Sequence, residues 1–317
     1  MSVAHSTPVS DSALLALGHA LRNAGYHFTT VTPDTHARVN ARPENAEAQT
    51  LADVFGWSRP FRPDVVPSCI LDLMEQGGVL VQDNEFCWSL VRVSSLDGEL
   101  FFHSAFPTTV ADSVFFGPDT YRFADAVLHA LQQHDRPIRR AVDVGCGAGP
   151  GGIVAAKILP DAKVFMVDIN EAALRLARIN ARLADVANAE ACHSDLLGGM
   201  EGAFDFMVAN PPYLVDPAQR AYRHGGGPLG AGLSLAILDA ALERLSPWGT
   251  LVLYTGAAVV NGEDPFRAAA ADRLSRSRAR WTYREIDPDV FGEELEAEAY
   301  RHADRIAAVV LTVHQDG

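Results

Sequence analysis

Apolar residues change their spacing several times along the chain, and each change marks an element. Leu14, Leu17 and Leu21 fall at the period of a helix face, behind Ser10 and Asp11, whose side-chain oxygens suit an N-cap, and ahead of Gly25, which suits a helix end. After loops rich in proline, Val66, Ile70 and Leu73 repeat at helical spacing between Pro63 and the Gly77-Gly78 pair. VLVQ and FCWSLVRV then read as strands, Asp97-Gly98 as a hairpin turn and LFFHSAF as the returning strand. Residues 1–117 thus predict an α+β accessory unit, helices carrying a β-wing.

From residue 118 onward the alternation is regular. A helix over TYRFADAVLHAL leads into AVDVG, KVFMVD, FDFMVAN and TLVLYTG, short apolar runs bounded by turn residues. Between them lie helical stripes, one of Leu176, Ile179 and Leu183, another of Leu235, Leu238, Leu242 and Leu245. This β-α-β-α order predicts an α/β fold over 118–317, a doubly wound parallel sheet covered on both faces, with its ligand at the carboxyl ends of the strands. WTYREI and IAAVVLTVH have no helical period between them and predict an antiparallel pair at the edge.

Composition narrows the classes. The 317 residues are 48% apolar and 21% charged, an ordinary globular balance that suits two modest domains or one large one. No apolar run approaches the roughly 18 residues that span a bilayer, and the opening stretch MSVAHSTPVSDS lacks a basic head and an apolar core, so a cytoplasmic protein is expected. Cys69, Cys87, Cys146 and Cys192 form no CxxC pair, and neither a metal site nor a disulfide framework is indicated. Twenty-six basic against forty acidic residues leave a net charge of −14. That sign repels polyphosphate and disfavours bare nucleic acid as a partner. Residues 1–117 hold six arginines, no lysine and thirteen acids, a balance of −7, so the wing is read as shaping a substrate or docking a partner rather than reading DNA.

Candidate chemistry begins at VDVGCGAGPGG, residues 142–152. Gly145, Gly147 and Gly149 allow a tight turn and a close approach of backbone to ligand, and Gly147, Gly149 and Gly152 also satisfy the GxGxxG spacing of a dinucleotide loop. Asp143 puts a carboxylate beside that loop, where a pyrophosphate is repelled and a cationic amino group welcomed. Asp168 ends the next strand, nineteen residues beyond Gly149, as an acid accepting two ribose hydroxyls should. Asp195 follows the third strand and offers an acceptor to an adenine amino group. A nicotinamide dehydrogenase stays open on the glycines alone.

Together these residues resemble the class I S-adenosylmethionine-dependent methyltransferases, over Asp119 to about Gln315. The resemblance implies a seven-stranded Rossmann-like sheet with one antiparallel strand. It also implies S-adenosyl-L-methionine as cofactor, with Asp143 and the glycine loop at its methionine end, Asp168 at the ribose, and Asp195 with Leu196 at the adenine. Asn210-Pro211-Pro212-Tyr213, fifteen residues after Asp195, sharpens the likeness to the N-methyltransferases with an (N/D)PP(Y/F) signature, among them the HemK/PrmC glutamine methyltransferases and the adenine and guanine enzymes. Two prolines fix the backbone and donate no N–H, which leaves the Asn210 and Pro211 carbonyls, with the Asn210 side chain, as acceptors for a planar NH2 group. Tyr213 supplies a flat face for stacking. VFFGPDTYRFADAV, residues 114–127, matches the segment that leads into the catalytic domain of HemK/PrmC proteins, with Pro118 and Thr120 as the matching residues and Thr120 placed near the cofactor; a helix cap at Asp119 or Thr120 explains the same residues.

The expected activity is N-methylation of a protein glutamine amide. A nucleobase amine, or a small natural product bearing an amide or amine, is the alternative acceptor, and a cofactor-binding module without turnover is the alternative class. The acidic run from Glu285 to Asp304 reads as a solvated face, and the glycine-rich stretch 225–232 as a mobile segment able to close over the site. His193 and His224 receive no role.

Overall fold

A computed structural model describes residues 10–317; residues 1–9, part of the stretch expected to carry no leader, lie outside the described residues. The arm opens with α1 (Asp11–Asn23), capped as expected by the Ser10 hydroxyl, which accepts from the Ala13 N–H at 3.2 Å, and closed before Gly25 at φ +69°. Two helices appear where proline-rich loops are expected, α2 (Pro33–Asn40) and α3 (Leu51–Phe55). Neither announces itself by period: α2 buries only His36, and α3 is a single turn. Both are made by their first residues, Thr32 capping α2 ahead of Pro33 and Thr50 with Asp53 forming a capping box on α3. The next helix, α4 (Ser68–Gln76), ends before Gly77 as predicted.

Four strands follow, β1 (Leu80–Asp83), β2 (Phe86–Ser89), β3 (Val91–Leu96) and β4 (Glu99–Ser104). The run FCWSLVRV, expected as one strand, breaks at Leu90, so the wing is two separate hairpins, β1-β2 and β3-β4. Asp97 and Gly98 make the second turn with φ of +50° and +80°, the paired positive values that match the twist of flanking strands.

The remaining elements are α5 (Pro118–Gln133), β5 (Arg140–Val144), α6 (Pro150–Ile158), β6 (Lys163–Asp168), α7 (Glu171–Leu183), β7 (Ala189–His193), β8 (Phe204–Ala209), α8 (Gly232–Arg244), β9 (Leu245–Val259), α9 (Pro265–Ser275), β10 (Arg280–Asp287) and β11 (Arg305–His314). They build a seven-stranded sheet in the order β10-β11-β9-β8-β5-β6-β7. Strands β5 to β9 run parallel, and β11 lies antiparallel to both of its neighbours. The α/β doubly wound expectation, with seven strands and one reversed, holds. The reversed strand sits inside the sheet, however, and β10 forms the edge. Strands β5, β6 and β8 are buried on both faces, one against α5 and α6, the other against α8.

One stripe faces a different neighbour from the one its spacing suggests. Leu176, Ile179 and Leu183 of α7 pack into the core of the arm, while Leu174, Ala177 and Ala181 of the same helix pack toward the sheet. Helix α7 is therefore buried on two sides.

Candidate active site

Chain order creates the site. After β5 the chain lays β6 and β7 on one side, then returns to place β8 on the other, so the loops leaving β5 and β8 diverge and open a crevice between them. Val144 and Ala209 are register partners in these two parallel strands. The residues that follow them, Gly145 and Asn210, leave the sheet from adjacent strand ends. The glycine turn and the Asn-Pro-Pro-Tyr corner thus face one cavity.

Asp143, Gly145, Gly147, Asp168, Asp195, Leu196, Thr120, Asn210, Pro211, Pro212 and Tyr213 all line that cavity. Gly149 does not. It is the N-cap of α6 at φ +86°, and a Cβ there would press on Met166 and Ala177, so this glycine closes helix against strand instead of admitting a ligand. Gly145 and Gly147 have φ of +70° and +55° with open space where a Cβ would stand, as a loop wrapped on a ligand requires. Thr120 spends its hydroxyl oxygen on the Gly117 N–H at 3.1 Å, and Gly117, not Asp119 or Thr120, is the cap of α5.

Three carboxylates, Asp143, Asp168 and Asp195, stand on the glycine-turn side of the cavity. Asp143 is buried, and Oδ2 accepts from the Gly152 N–H at 2.7 Å; burial pushes its pKa up to about 7, against the pull of that N–H. Asp168 is raised by burial and held down by backbone donors, with Oδ2 accepting from Gly147 at 2.9 Å and Oδ1 from Asn170 at 2.9 Å. Asp195 is exposed on the same wall, and Leu196 next to it takes φ +48°. A buried carboxylate and a loop free of side chains for the methionine end, an acid at the end of β6 for paired hydroxyls, and an exposed acid beside Leu196 for an adenine fit the three chemical parts of S-adenosylmethionine.

At the other end, no hydrogen bond among the described residues engages the Asn210 side chain, although it lies in the cavity wall. Tyr213 differs from the expected open stacking face. Its ring is 6% exposed, its hydroxyl donates to Asp119, and it lies against Gly256 of β9 and edge-on to Phe291 at 5.9 Å between centroids. It is a fixed wall of the pocket. The glycine-rich stretch expected to be mobile is likewise tied down: Gly225 N–H donates to Leu214 at 2.8 Å, Leu233 to Gly225 at 2.7 Å, and the Tyr222 hydroxyl to Thr108 at 2.6 Å. Phe291, from inside the acidic run, reaches the cavity, so that run borders the site instead of standing clear of it. His224 serves the loop, near the Asp216 N–H at 3.2 Å.

Sequence reasoning missed Asp119 as a side chain of the pocket, along with Phe115, Tyr222 and Phe291. The apolar pair Val290-Phe291 within an acidic stretch was the available signal for the last of these.

Comparison with known proteins agrees with the geometry. Residues 113–257 match the methyltransferase small domain family. A release factor glutamine methyltransferase of Deinococcus radiodurans is 30% identical over 215 residues, covering 64% of this chain and 72% of that one. The chain belongs to the HemK/PrmC-like class I S-adenosylmethionine-dependent methyltransferases. A 4-amino-L-phenylalanine/4-methylamino-L-phenylalanine methyltransferase of Streptomyces pristinaespiralis is 28% identical, over 53% of this chain and 58% of that one. A ribosomal protein uL3 glutamine methyltransferase of Neisseria gonorrhoeae is 32% identical, over 39% and 45%. The relatives it matches are named for different acceptors, and the arm before residue 113 lies outside the family match.

Proposed function

We propose that this methyltransferase transfers a methyl group to the side-chain amide nitrogen of a protein glutamine. The observation that carries the reading is Asn210, a side chain with no hydrogen-bond partner among the described residues, set beside the glycine turn at the sheet's switch point. A planar NH2 group has two hydrogens to place, and the Asn210 side-chain oxygen with the Pro211 carbonyl accepts both, which turns the nitrogen lone pair toward the cofactor. S-adenosylmethionine supplies the sulfonium methyl. Asp143 receives the cofactor's ammonium group, Asp168 its ribose hydroxyls, and Asp195 with Leu196 its adenine. After transfer the nitrogen sheds one of its two protons.

Two of the three relatives above are named for protein glutamine acceptors, and the charge of this chain supports the same class. A net −14 and an acidic run bordering the cavity through Phe291 suit a neutral or basic polypeptide better than a phosphate backbone. Acceptors in the translation machinery put the reaction in the cytoplasm. Residues 118–317 form the catalytic unit in this reading, and residues 1–117 present the acceptor.

The test offers labelled cofactor with purified release factor, ribosomal protein uL3, 4-amino-L-phenylalanine and total RNA, and maps the methyl by mass spectrometry. Transfer to a glutamine of either protein is expected. Asn210→Ala should lower that transfer by about 100-fold while S-adenosylhomocysteine binds as before. Label confined to RNA or the free amino acid, or full activity in Asn210→Ala, would overturn the reading.

A further inference from the structure

The corner that grips the acceptor has little backbone to hold it. Pro211 and Pro212 bring no N–H, so nothing between Asn210 and Tyr213 can donate to a neighbouring strand. Backbone bonds resume only at Leu214, which donates to the Arg223 carbonyl at 3.2 Å and accepts from Gly225 at 2.8 Å; within the corner the side chain of Tyr213 adds an anchor that leads to a residue far away in sequence. The Tyr213 hydroxyl donates to Asp119 Oδ2, across 94 positions. Asp119 Oδ1 accepts from the Tyr254 hydroxyl of β9 at 2.7 Å and from Arg122 at 3.1 Å, and Arg122 is held in turn by Asp287 at 2.6 Å.

Asp119 is only 3% exposed, although it stands in the first turn of α5, where an acid usually meets solvent and the helix N–H groups. A buried carboxylate is costly unless well paired, and an apolar residue at 119 with phenylalanine at 213 and 254 would fill the same volume without that cost. The carboxylate adds direction. It fixes the rotation of the Tyr213 ring already wedged between Gly256 and Phe291. Burial, with the neighbouring carboxylate, pushes both phenols up, so Tyr213 and Tyr254 stay hydrogen-bond donors.

We propose that Asp119 is a positioning residue for methyl transfer, whose carboxylate holds Tyr213 and thereby aims the Asn210 and Pro211 oxygens at the acceptor nitrogen. The proposal rests on the clamp described above but not on which acceptor enters it.

Asp119→Asn and Tyr213→Phe, made singly and together, test it in two ways. In methyl transfer to the protein acceptors, each single variant should lose about 100-fold in kcat with little change in KM for the cofactor, and the double variant should be no worse than the weaker single one. In hydrogen exchange without any acceptor, the segment 209–215 should exchange faster in both variants, and no faster in the double. Losses that multiply in the double variant, or unchanged exchange at 209–215, would reduce Asp119 to a packing role and overturn the proposal. If the wild type methylates none of the offered proteins, the acceptor reading fails while the exchange measurement still decides on Asp119. Should Asp119→Asn not fold, Tyr213→Phe removes the same bond from its other end.

Discussion

Asp143 shows how burial ties one residue to pH. Its carboxyl is pushed up to about 7 because β5 buries it, with a single N–H from Gly152 as compensation. A carboxyl raised above its unfolded value of 3.8 is protonated in the folded protein before it is in the unfolded chain. Without ligand, stability should therefore decline as pH rises from about 4 through 7, the reverse of the usual paired carboxylate. The seat proposed for the cofactor's ammonium group needs the ionised form. We expect the affinity for S-adenosylhomocysteine to weaken about tenfold per pH unit below 7, as one proton must leave on binding. Calorimetric titration between pH 5.5 and 8.5 measures this, and Asp143→Asn should bind weakly with no such slope. A flat profile in the wild type would remove Asp143 from the ammonium seat. The position of Asp143 was legible because strand ends of a doubly wound sheet are few and known. The hydrogen-bond network of Asp119 was not, because its partners Tyr213 and Tyr254 lie 94 and 135 positions away and only the closed sheet brings them together.

The loop between β8 and α8 shows the limit of composition as a guide to motion. Five glycines between residues 225 and 232 suggest slackness, yet Gly230 sits at φ +79° with the Tyr213 carbonyl where its Cβ would be. Here glycine permits contact with the backbone of the Asn-Pro-Pro-Tyr corner. Gly226, at φ +69°, faces open space. The two therefore separate packing from conformational freedom. Gly226→Ala should cost about 1 kcal/mol, the price of a left-handed conformation alone. Gly230→Ala should cost more, about 2–3 kcal/mol, and should lower methyl transfer besides, because the Tyr213 carbonyl must shift. Denaturant midpoints and kcat for the two variants check the contrast, and equal losses would deny the contact. The same distinction explains which helices the sequence revealed. Apolar period exposed α1 and α4, whereas α2 and α3 owe their existence to Thr32, Pro33, Thr50 and Asp53 at their starts, a signal hidden among prolines that read as loop.

In the whole molecule, the arm and the sheet meet through α7, and they meet at the glycine turn. Leu183 is fully buried and packs on Gly18 of α1 at 2.6 Å from where a Cβ would stand, while Arg22 of α1 donates to the Leu183 carbonyl at 2.7 Å. Nearby, the buried Asn180 side chain accepts from the Phe102 N–H at 2.8 Å and donates to the carbonyls of Phe102 at 3.0 Å and Ala148 at 2.9 Å. Phe102 belongs to the arm's β4, and Ala148 stands between Gly147 and Gly149. One amide thus ties the wing to the glycine turn. Such an arm is tied to the turn proposed to hold the cofactor, and its removal would strip α7 of one of its two cores. Leu183→Ala should cost about 2–5 kcal/mol and melt the entire chain in a single transition. Asn180→Leu should leave three buried backbone groups unpaired, at about 1–3 kcal/mol each, and should weaken S-adenosylhomocysteine binding although Asn180 lies outside the cavity wall. Calorimetry and a binding titration on these variants decide the matter. Two resolved transitions, with cofactor affinity unmoved by Asn180→Leu, would make the arm an independent attachment; one transition with weakened affinity would make the wing a working wall of the methyltransferase.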